Sequence, residues 1–162
     1  MQGTLQNYIA IFKEHVAVDQ DLLFFAYGEI FEINNRLKSD RDFKIPMLWL
    51  DEPVIVPNRN STNLYTNTFN SAYWVIVKLP NVRTFENIEN SYSNAHSISE
   101  RMVAKLYKLQ RSLDANNIRA ILDFKITKEE AISRKLVNDG SLVGWRVEFQ
   151  ITLETNTIHH VN

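Results

Sequence analysis

The chain has 162 residues, a formal net charge of −1 and no cysteine. This length fits about one domain, and the absence of cysteine excludes disulfides and thiolate metal sites. Without a block of like charges, there is no electrostatic reason to expect binding to nucleic acid or anionic lipid. The N-terminal segment lacks the features of a secretory signal, and no apolar run approaches the ~20 residues that cross a bilayer. We therefore expect a soluble protein without membrane contact.

The N-terminal segment has the periodicity of helices. Apolar residues recur at steps of three and four over much of Leu5–Leu37, with a break near Val18. Asp19 or Asp21 could cap a second helix after this break, because a short carboxylate accepts the free amide protons of a first helical turn. The pattern predicts two helices before the first strand.

Two strands are predicted next. Met47–Leu50 follow Pro46, which has no amide proton and fits the start or the edge of a strand. The stretch Asp51–Asn70 is rich in Pro and Asn and predicts a loop or an irregular arm, in which Val54–Val56 could pair briefly. Phe69–Leu79 is apolar on both faces, which is typical of a central strand covered on both sides.

The clearest helix spans about Ser91 to Ala115. Its apolar side chains form one continuous stripe: Ala95, Ile98, Met102, Leu106, Leu109 and Leu113. Two strands follow, with alternating apolar and polar residues over Ile118–Ile126 and Trp145–Glu154. The connection Thr127–Gly144 is too long for a tight turn and predicts a projecting hairpin extension or a short helix with a turn.

These elements predict a single two-layer α+β domain over residues 1–162. A four-stranded, mostly antiparallel sheet would carry the main helix (about 91–115) on one face. The helical N-terminal segment (about 1–40) would precede the α+β core (43–154). Residues 155–162 would form a tail that is disordered in the free chain.

Motifs for catalysis or phosphate binding are absent from the sequence. It has no G-x-G-x-x-G, no G-x-x-x-x-G-K-[ST], no G-x-S-x-G and no thiol nucleophile. His96 and Glu100 form an i, i+4 pair that could begin a metal site, but a third ligand is not identifiable and catalytic zinc needs three. The pair His159-His160 in the tail offers only an adventitious site. We expect no enzyme activity, no cofactor and no metal site.

Two surface hypotheses follow from the residues. Trp74 and Ile76 lie on the second face of their strand and would need a partner subunit if the N-terminal helices leave them uncovered. A basic row on the main helix could follow a phosphate backbone, as in a nucleic-acid or ligand-binding module. Glu100 interrupts this row and no aromatic residues interleave with it, which favours a solvated face or a subunit contact. The row consists of Arg101, Lys105, Lys108 and Arg111.

The order of elements resembles the small α+β tail terminator and tail-completion proteins of long-tailed phages, and related neck proteins. No diagnostic motif exists in that family, and the long N-terminal region departs from its shorter pattern, which leaves a collar protein as another ring layer. The resemblance covers nearly the whole chain, through Leu5–Leu37, Ile45–Leu50, Ala72–Leu79, Ser91–Ala115, Ile118–Ile126 and Gly144–Leu153.

The resemblance implies a non-enzymatic virion protein, assembled in the host cytoplasm, that forms a ring with copies of itself. Such rings are commonly six-fold for terminators and twelve-fold at some necks. They bind other neck or tail-tube proteins around a channel, where DNA could pass without sequence recognition. Sheets of neighbouring subunits would continue around the channel while loops grip the next ring. The implied contact residues are Trp74, Ile76, Asn58, Asn60, Tyr65, Glu129, Glu130, Arg134 and Lys135.

Overall fold

The computed structural model describes residues 3–29, 32–33, 35, 44–59, 65–113, 120–132 and 141–155. Within these ranges the α+β prediction is confirmed, but the sheet has six strands rather than four. It is mostly antiparallel, as expected, with one parallel pair. The elements are α1 (Leu5–Val18), β1 (Phe24–Tyr27), β2 (Met47–Leu50), β3 (Val54–Arg59), β4 (Tyr65–Lys78), α2 (Phe85–Arg111), β5 (Asp123–Ile132) and β6 (Leu142–Glu154).

The six strands belong to one sheet, in the order β1-β2-β4-β6-β5, with β3 paired to β4. The central strand β4 has two different neighbours along one edge. Its C-terminal half pairs with β2 through Tyr73–Ile76, and its N-terminal half pairs with β3 through Tyr65–Asn70. Along the other edge, β6 pairs with β4 from Thr66 to Lys78. The β1–β2 pair is parallel and the remaining pairs are antiparallel.

The first face of the sheet is covered by α1 and α2. Tyr8 of α1 stacks on Phe69 of β4, with ring centroids 4.6 Å apart. The hydroxyl of Tyr73 lies 3.0 Å from Ser99 Oγ and donates to or accepts from it, which ties β4 to α2. Buried aromatic pairs of this kind stabilise the packing of layers beyond the area they bury. The predicted stripe on α2 faces this core through Ala95, Ile98, Met102 and Leu106.

The second face carries a smaller core where β1, β2 and the C-terminal half of β4 meet. Met47, Trp49 and Ile76 have no exposed surface there, and Ile33 packs against the same cluster. The indole Nε1 of Trp49 donates to the Gly28 carbonyl oxygen at 2.7 Å, so the buried polar atom has its partner. The prediction of a strand covered on both sides is therefore confirmed for this half of β4.

The prediction of a second N-terminal helix is wrong for Phe24–Tyr27, which form β1. A short apolar run fits a buried strand as well as a helix, and pairing decides between them, because the amide of Leu23 donates to the Pro46 carbonyl and the two strands align. The predicted break after Val18 is confirmed. Asp19, however, is the C-cap of α1 and does not begin another helix.

The main helix starts and ends earlier than predicted. It begins at Phe85, ahead of Ser91, because Thr84 caps it through a side-chain oxygen that accepts an amide proton from the first turn at 3.2 Å. It ends at Arg111. Leu113, expected in the apolar stripe, therefore lies beyond the helix and is 54% exposed.

The last two strands lengthen towards each other. β5 begins at Asp123 and extends to Ile132, into the predicted connection. The alternation over Trp145–Glu154 is confirmed as β6, which also includes Gly144. Gly144 fits there because a Cβ at this position would overlap the carbonyl oxygen of Val75 on β4. The backbones of the two strands therefore approach closely at a residue without a side chain.

Candidate functional site

β3 is an exposed strand that extends the sheet beside the N-terminal half of β4. All six of its residues are exposed, with Val54, Ile55 and Val56 at 67%, 41% and 43%. Among the strands that the structure describes, β3 pairs only with β4, so its outer edge presents main-chain donors and acceptors to solvent. An apolar edge strand is a template for pairing with a strand of another chain.

The pairing of β3 with β4 corrects the prediction of a loop or irregular arm over Asp51–Asn70, but it confirms that Val54–Val56 pair. The β-branched run Val54–Val56 favours a strand, and polar side chains fix its register. Asn58 Nδ2 donates to Thr68 Oγ1 at 3.2 Å, and Thr68 Oγ1 lies 3.0 Å from Thr152 Oγ1 on β6. This row connects three strands, so β3 and the N-terminal half of β4 form a regular hairpin, here called the arm.

Two of the predicted contact residues lie on the arm. Asn58 and Tyr65 line a shallow cleft of about 380 Å³ at its end. Tyr65 is 37% exposed, so its ring can reach a partner. The arm therefore brings together an apolar edge and a shallow cleft. The signal for the edge was present in the sequence as three β-branched residues between Pro53 and Pro57.

On the second face, beyond the smaller core, a polar surface surrounds Arg146 of β6. Its guanidinium contacts the carboxylates of Glu130 and Glu148 and lies 5.1 Å from the ring centroid of Trp74. Trp74 Nε1 donates in turn to Asp51 Oδ2 at 2.8 Å. Burial raises the pKa of Asp51 above its ordinary value. This face therefore presents a charged, hydrogen-bonded surface in which the predicted contacts Trp74 and Glu130 take part.

The other predicted contacts are placed differently. Ile76 has no exposed surface, because the smaller core covers it, and it is not available to a partner subunit. Glu129 is exposed on β5. Asn60, Arg134 and Lys135 lie outside the described residues, as do the predicted tail after Thr155 and the end of the predicted N-terminal helix from residue 36.

One cation of the basic row on α2, Arg101, forms ion pairs within the protein. Arg101 donates two hydrogen bonds to the carboxylate of Asp19, from Nε to Oδ2 at 2.8 Å and from Nη2 to Oδ1 at 2.9 Å. Its Nη2 also donates to Asp21 Oδ2 at 2.7 Å. The hydrogen bonds from Arg101 hold the pKa of Asp19 below its ordinary value. Lys105 is half-buried, while Lys108 and Arg111 are exposed. The first cation of the row thus joins α2 to the end of α1.

The pair of His96 and Glu100 is present on α2 as the sequence predicts, with Nε2–Oε1 at 3.5 Å. The structure adds Glu129 of β5, which sequence reasoning did not connect with them. The nitrogen and oxygen donors of these three side chains all lie within 4.8 Å of one another. A catalytic arrangement is not evident from this geometry, but a cation could contact all three.

No protein-family model and no curated protein matches this sequence. The fold, however, is similar to that of a solved structure, a chain in "Virion of native gene transfer agent (GTA) particle". The likeness has a TM-score of 0.51 at 10% sequence identity and covers 90% of this chain and 93% of that one. Within the described ranges, no helix combines the length and apolar character needed to cross a membrane. The α+β fold of this chain is therefore shared, over nearly its full length, with a component of a virion particle.

Proposed function

We propose that this chain is a structural protein of a phage-like virion and acts by assembling with other proteins, without catalysis. The observation that carries the proposal is the likeness of its fold, over 90% of the chain, to a chain of the gene transfer agent particle. The order of helices and strands supports the same assignment, since it resembles tail terminator, tail-completion and neck proteins. The site of action would be the head-to-tail joint or the head-proximal end of the tail.

The mode of assembly that the sheet supports is a closed ring. The apolar edge of β3 and the outer edge of β5 lie on opposite sides of the sheet, because β5 pairs only with β6 and β3 only with β4 among the described strands. Edges on opposite sides permit head-to-tail contacts, and such contacts close into a ring when the rotation between subunits allows it. Six or twelve copies would surround a channel, with neck or tail-tube proteins above and below.

The basic row supports assembly more than nucleic-acid binding. Arg101 already contacts Asp19 and Asp21, which leaves Lys108 and Arg111 as its exposed cations beside the half-buried Lys105. Affinity for a phosphate backbone grows with the number of phosphates that cations neutralise. The channel would therefore bind DNA weakly and without sequence specificity.

The test is the mass of the particle in solution, measured by light scattering over a wide concentration range and combined with negative-stain imaging. We expect closed rings from the wild-type chain and monomers from Val54→Lys/Val56→Lys, because lysines on an edge strand prevent strand addition. The matched control is Phe85→Ser, which removes an apolar side chain that is 84% exposed on α2, outside the sheet. It should leave ring formation unchanged.

Two results would contradict this proposal. Rings that persist in the double lysine variant would exclude the β3 edge as the contact. A wild-type chain that remains monomeric at every concentration, and binds a DNA duplex in a manner that Lys108→Glu/Arg111→Glu abolishes, would replace assembly by nucleic-acid binding.

A further inference from the structure

A β-bulge brings Glu129 to the face of the sheet that α2 covers. Before the bulge, Ile126 pairs with Phe149; after it, Lys128 pairs with Glu148 and Glu129 with Val147. Val147 belongs to the core under α2, so the pairing register places Glu129 on that face. Because side chains alternate along a strand, the same register without the extra residue would turn Glu129 to the opposite face.

On α2, one helical turn presents the other two donors to the same point. His96 and Glu100 lie at i and i+4, which are neighbours on a helix surface. The imidazole of His96 packs against the indole of Trp145, with centroids 4.3 Å apart, which limits the rotamers open to it. Together with Glu129, the donors of these side chains lie within 4.8 Å of one another.

The carboxylates of this cluster have no cationic partner in the part of the chain that the structure describes. Among the described residues, Glu100 and Glu129 form no ion pair with Lys or Arg, and the recorded partner of Glu100 is His96. Two carboxylates that converge on an imidazole repel each other, and a cation between them relieves that repulsion. One nitrogen and two carboxylate oxygens form a ligand set suited to zinc and other divalent first-row ions.

We propose that His96, Glu100 and Glu129 form a binding site for a divalent transition-metal ion that joins α2 to β5. Metal–ligand distances of about 2.0–2.2 Å require donors closer together than the present spread. The carboxylates can close this gap by rotating towards His96, since the side chain of Glu100 is 56% exposed and Glu129 is exposed. Water would complete the coordination. This site goes beyond the assembly role and does not depend on it.

The experiment is a calorimetric titration of Zn²⁺ into chelator-treated full-length protein. Every protein in the titration carries His159→Ala/His160→Ala, because the adjacent tail histidines could bind the metal themselves. The protein with these two changes alone is the parent. We expect one saturable site per chain. His96→Ala and Glu129→Gln should each weaken binding by at least about tenfold, a loss that already accompanies removal of groups supporting metal ligands. The control Glu89→Gln neutralises an exposed glutamate on the same helix, outside the cluster, and should bind as the parent does.

Thermal unfolding supplies a second readout, which separates a metal site from a merely structural contact. A ligand that binds the native state alone raises the unfolding midpoint, so Zn²⁺ should stabilise the parent and Glu89→Gln but not His96→Ala. Near-ultraviolet circular dichroism checks that each variant folds. The proposal is overturned if the parent shows no saturable heat, or if His96→Ala and Glu129→Gln bind with unchanged affinity.

Discussion

The two halves of β4 differ in what surrounds them, although they belong to one uninterrupted strand. The C-terminal half, Tyr73–Ile76, has β2 and β6 on its edges and a core on each face, and Val75 and Ile76 have no exposed surface. The N-terminal half, Tyr65–Asn70, pairs with the exposed β3 and has mainly half-buried side chains. One strand therefore serves as the scaffold of the core and as the stem of the arm.

The difference follows from the composition of the strand. The run Ala72–Val77 is apolar at every position, which a strand covered on both faces requires. The N-terminal half places Thr66, Thr68 and Asn70 on one face, where a covering apolar layer would leave their polar atoms without partners. The comparison predicts that changes near the C-terminal half lower stability, whereas changes at the exposed positions of the arm affect association and leave stability nearly unchanged.

The largest expected effect is that of Gly144→Ala, next to the C-terminal half. The new Cβ would overlap the carbonyl oxygen of Val75, a backbone atom that cannot rotate away. Overpacking of this kind costs about 1–3 kcal/mol, and we expect the upper end, because both strands lie in the centre of the sheet. Urea unfolding followed by tryptophan fluorescence measures it. In the arm, Val54→Ala should change the free energy of unfolding by less than about 0.5 kcal/mol. Equal losses of stability from Gly144→Ala and Val54→Ala would refute this division between the two halves of β4.

Two tyrosines on the same strand give a matched test of intermediate size. Tyr73→Phe removes a buried hydroxyl that contacts Ser99 Oγ at 3.0 Å and the Ser99 carbonyl oxygen at 3.2 Å. Loss of the Tyr73 hydroxyl should lower the free energy of unfolding by about 1 kcal/mol. Tyr65→Phe makes the same chemical change where the residue is 37% exposed, and water replaces the partner. Denaturant midpoints that shift for both variants alike would show that the arm is as tightly packed as the core.

Sequence patterns predict the regions whose periodicity extends over many residues. The stripe of α2, the alternation of β6 and the end of α1 all follow from the repetition of apolar positions. β1 could not be predicted, because the four residues Phe24–Tyr27 also fit a helix, and their pairing with the distant β2 decides their structure. β3 is obscured in the sequence by Pro53 before it and Pro57 within it, since proline favours a loop as much as an edge strand.

The candidate sites were predictable only in part, because each depends on register. The sequence places His96 and Glu100 on one helix face, but the position of Glu129 follows from a bulge that arises when β5 pairs with β6. The sequence predicts a solvated face or a subunit contact for the basic row of α2, but it does not predict that the fold brings Asp19 to Arg101 across 82 residues of chain. Contacts between such distant residues leave no local pattern in a single sequence.

The last prediction tests that contact between α1 and α2. The side chain of Arg101 is 41% exposed and that of Asp19 is 4% exposed, so solvent screens part of the interaction. Arg101→Gln should therefore lower the free energy of unfolding by at most about 1 kcal/mol near neutral pH. The contribution depends on an ionised Asp19, whose pKa Arg101 holds below 3.8. It is therefore present above the ordinary value of 3.8 and is lost as the pH falls through the lowered folded-state pKa. Urea unfolding of both proteins at neutral and acidic pH should show curves that converge in acid. A difference in the free energy of unfolding that stays constant with pH would mean that Arg101 stabilises the fold by packing and not by charge. Arg101 would then count again among the free cations of the basic row.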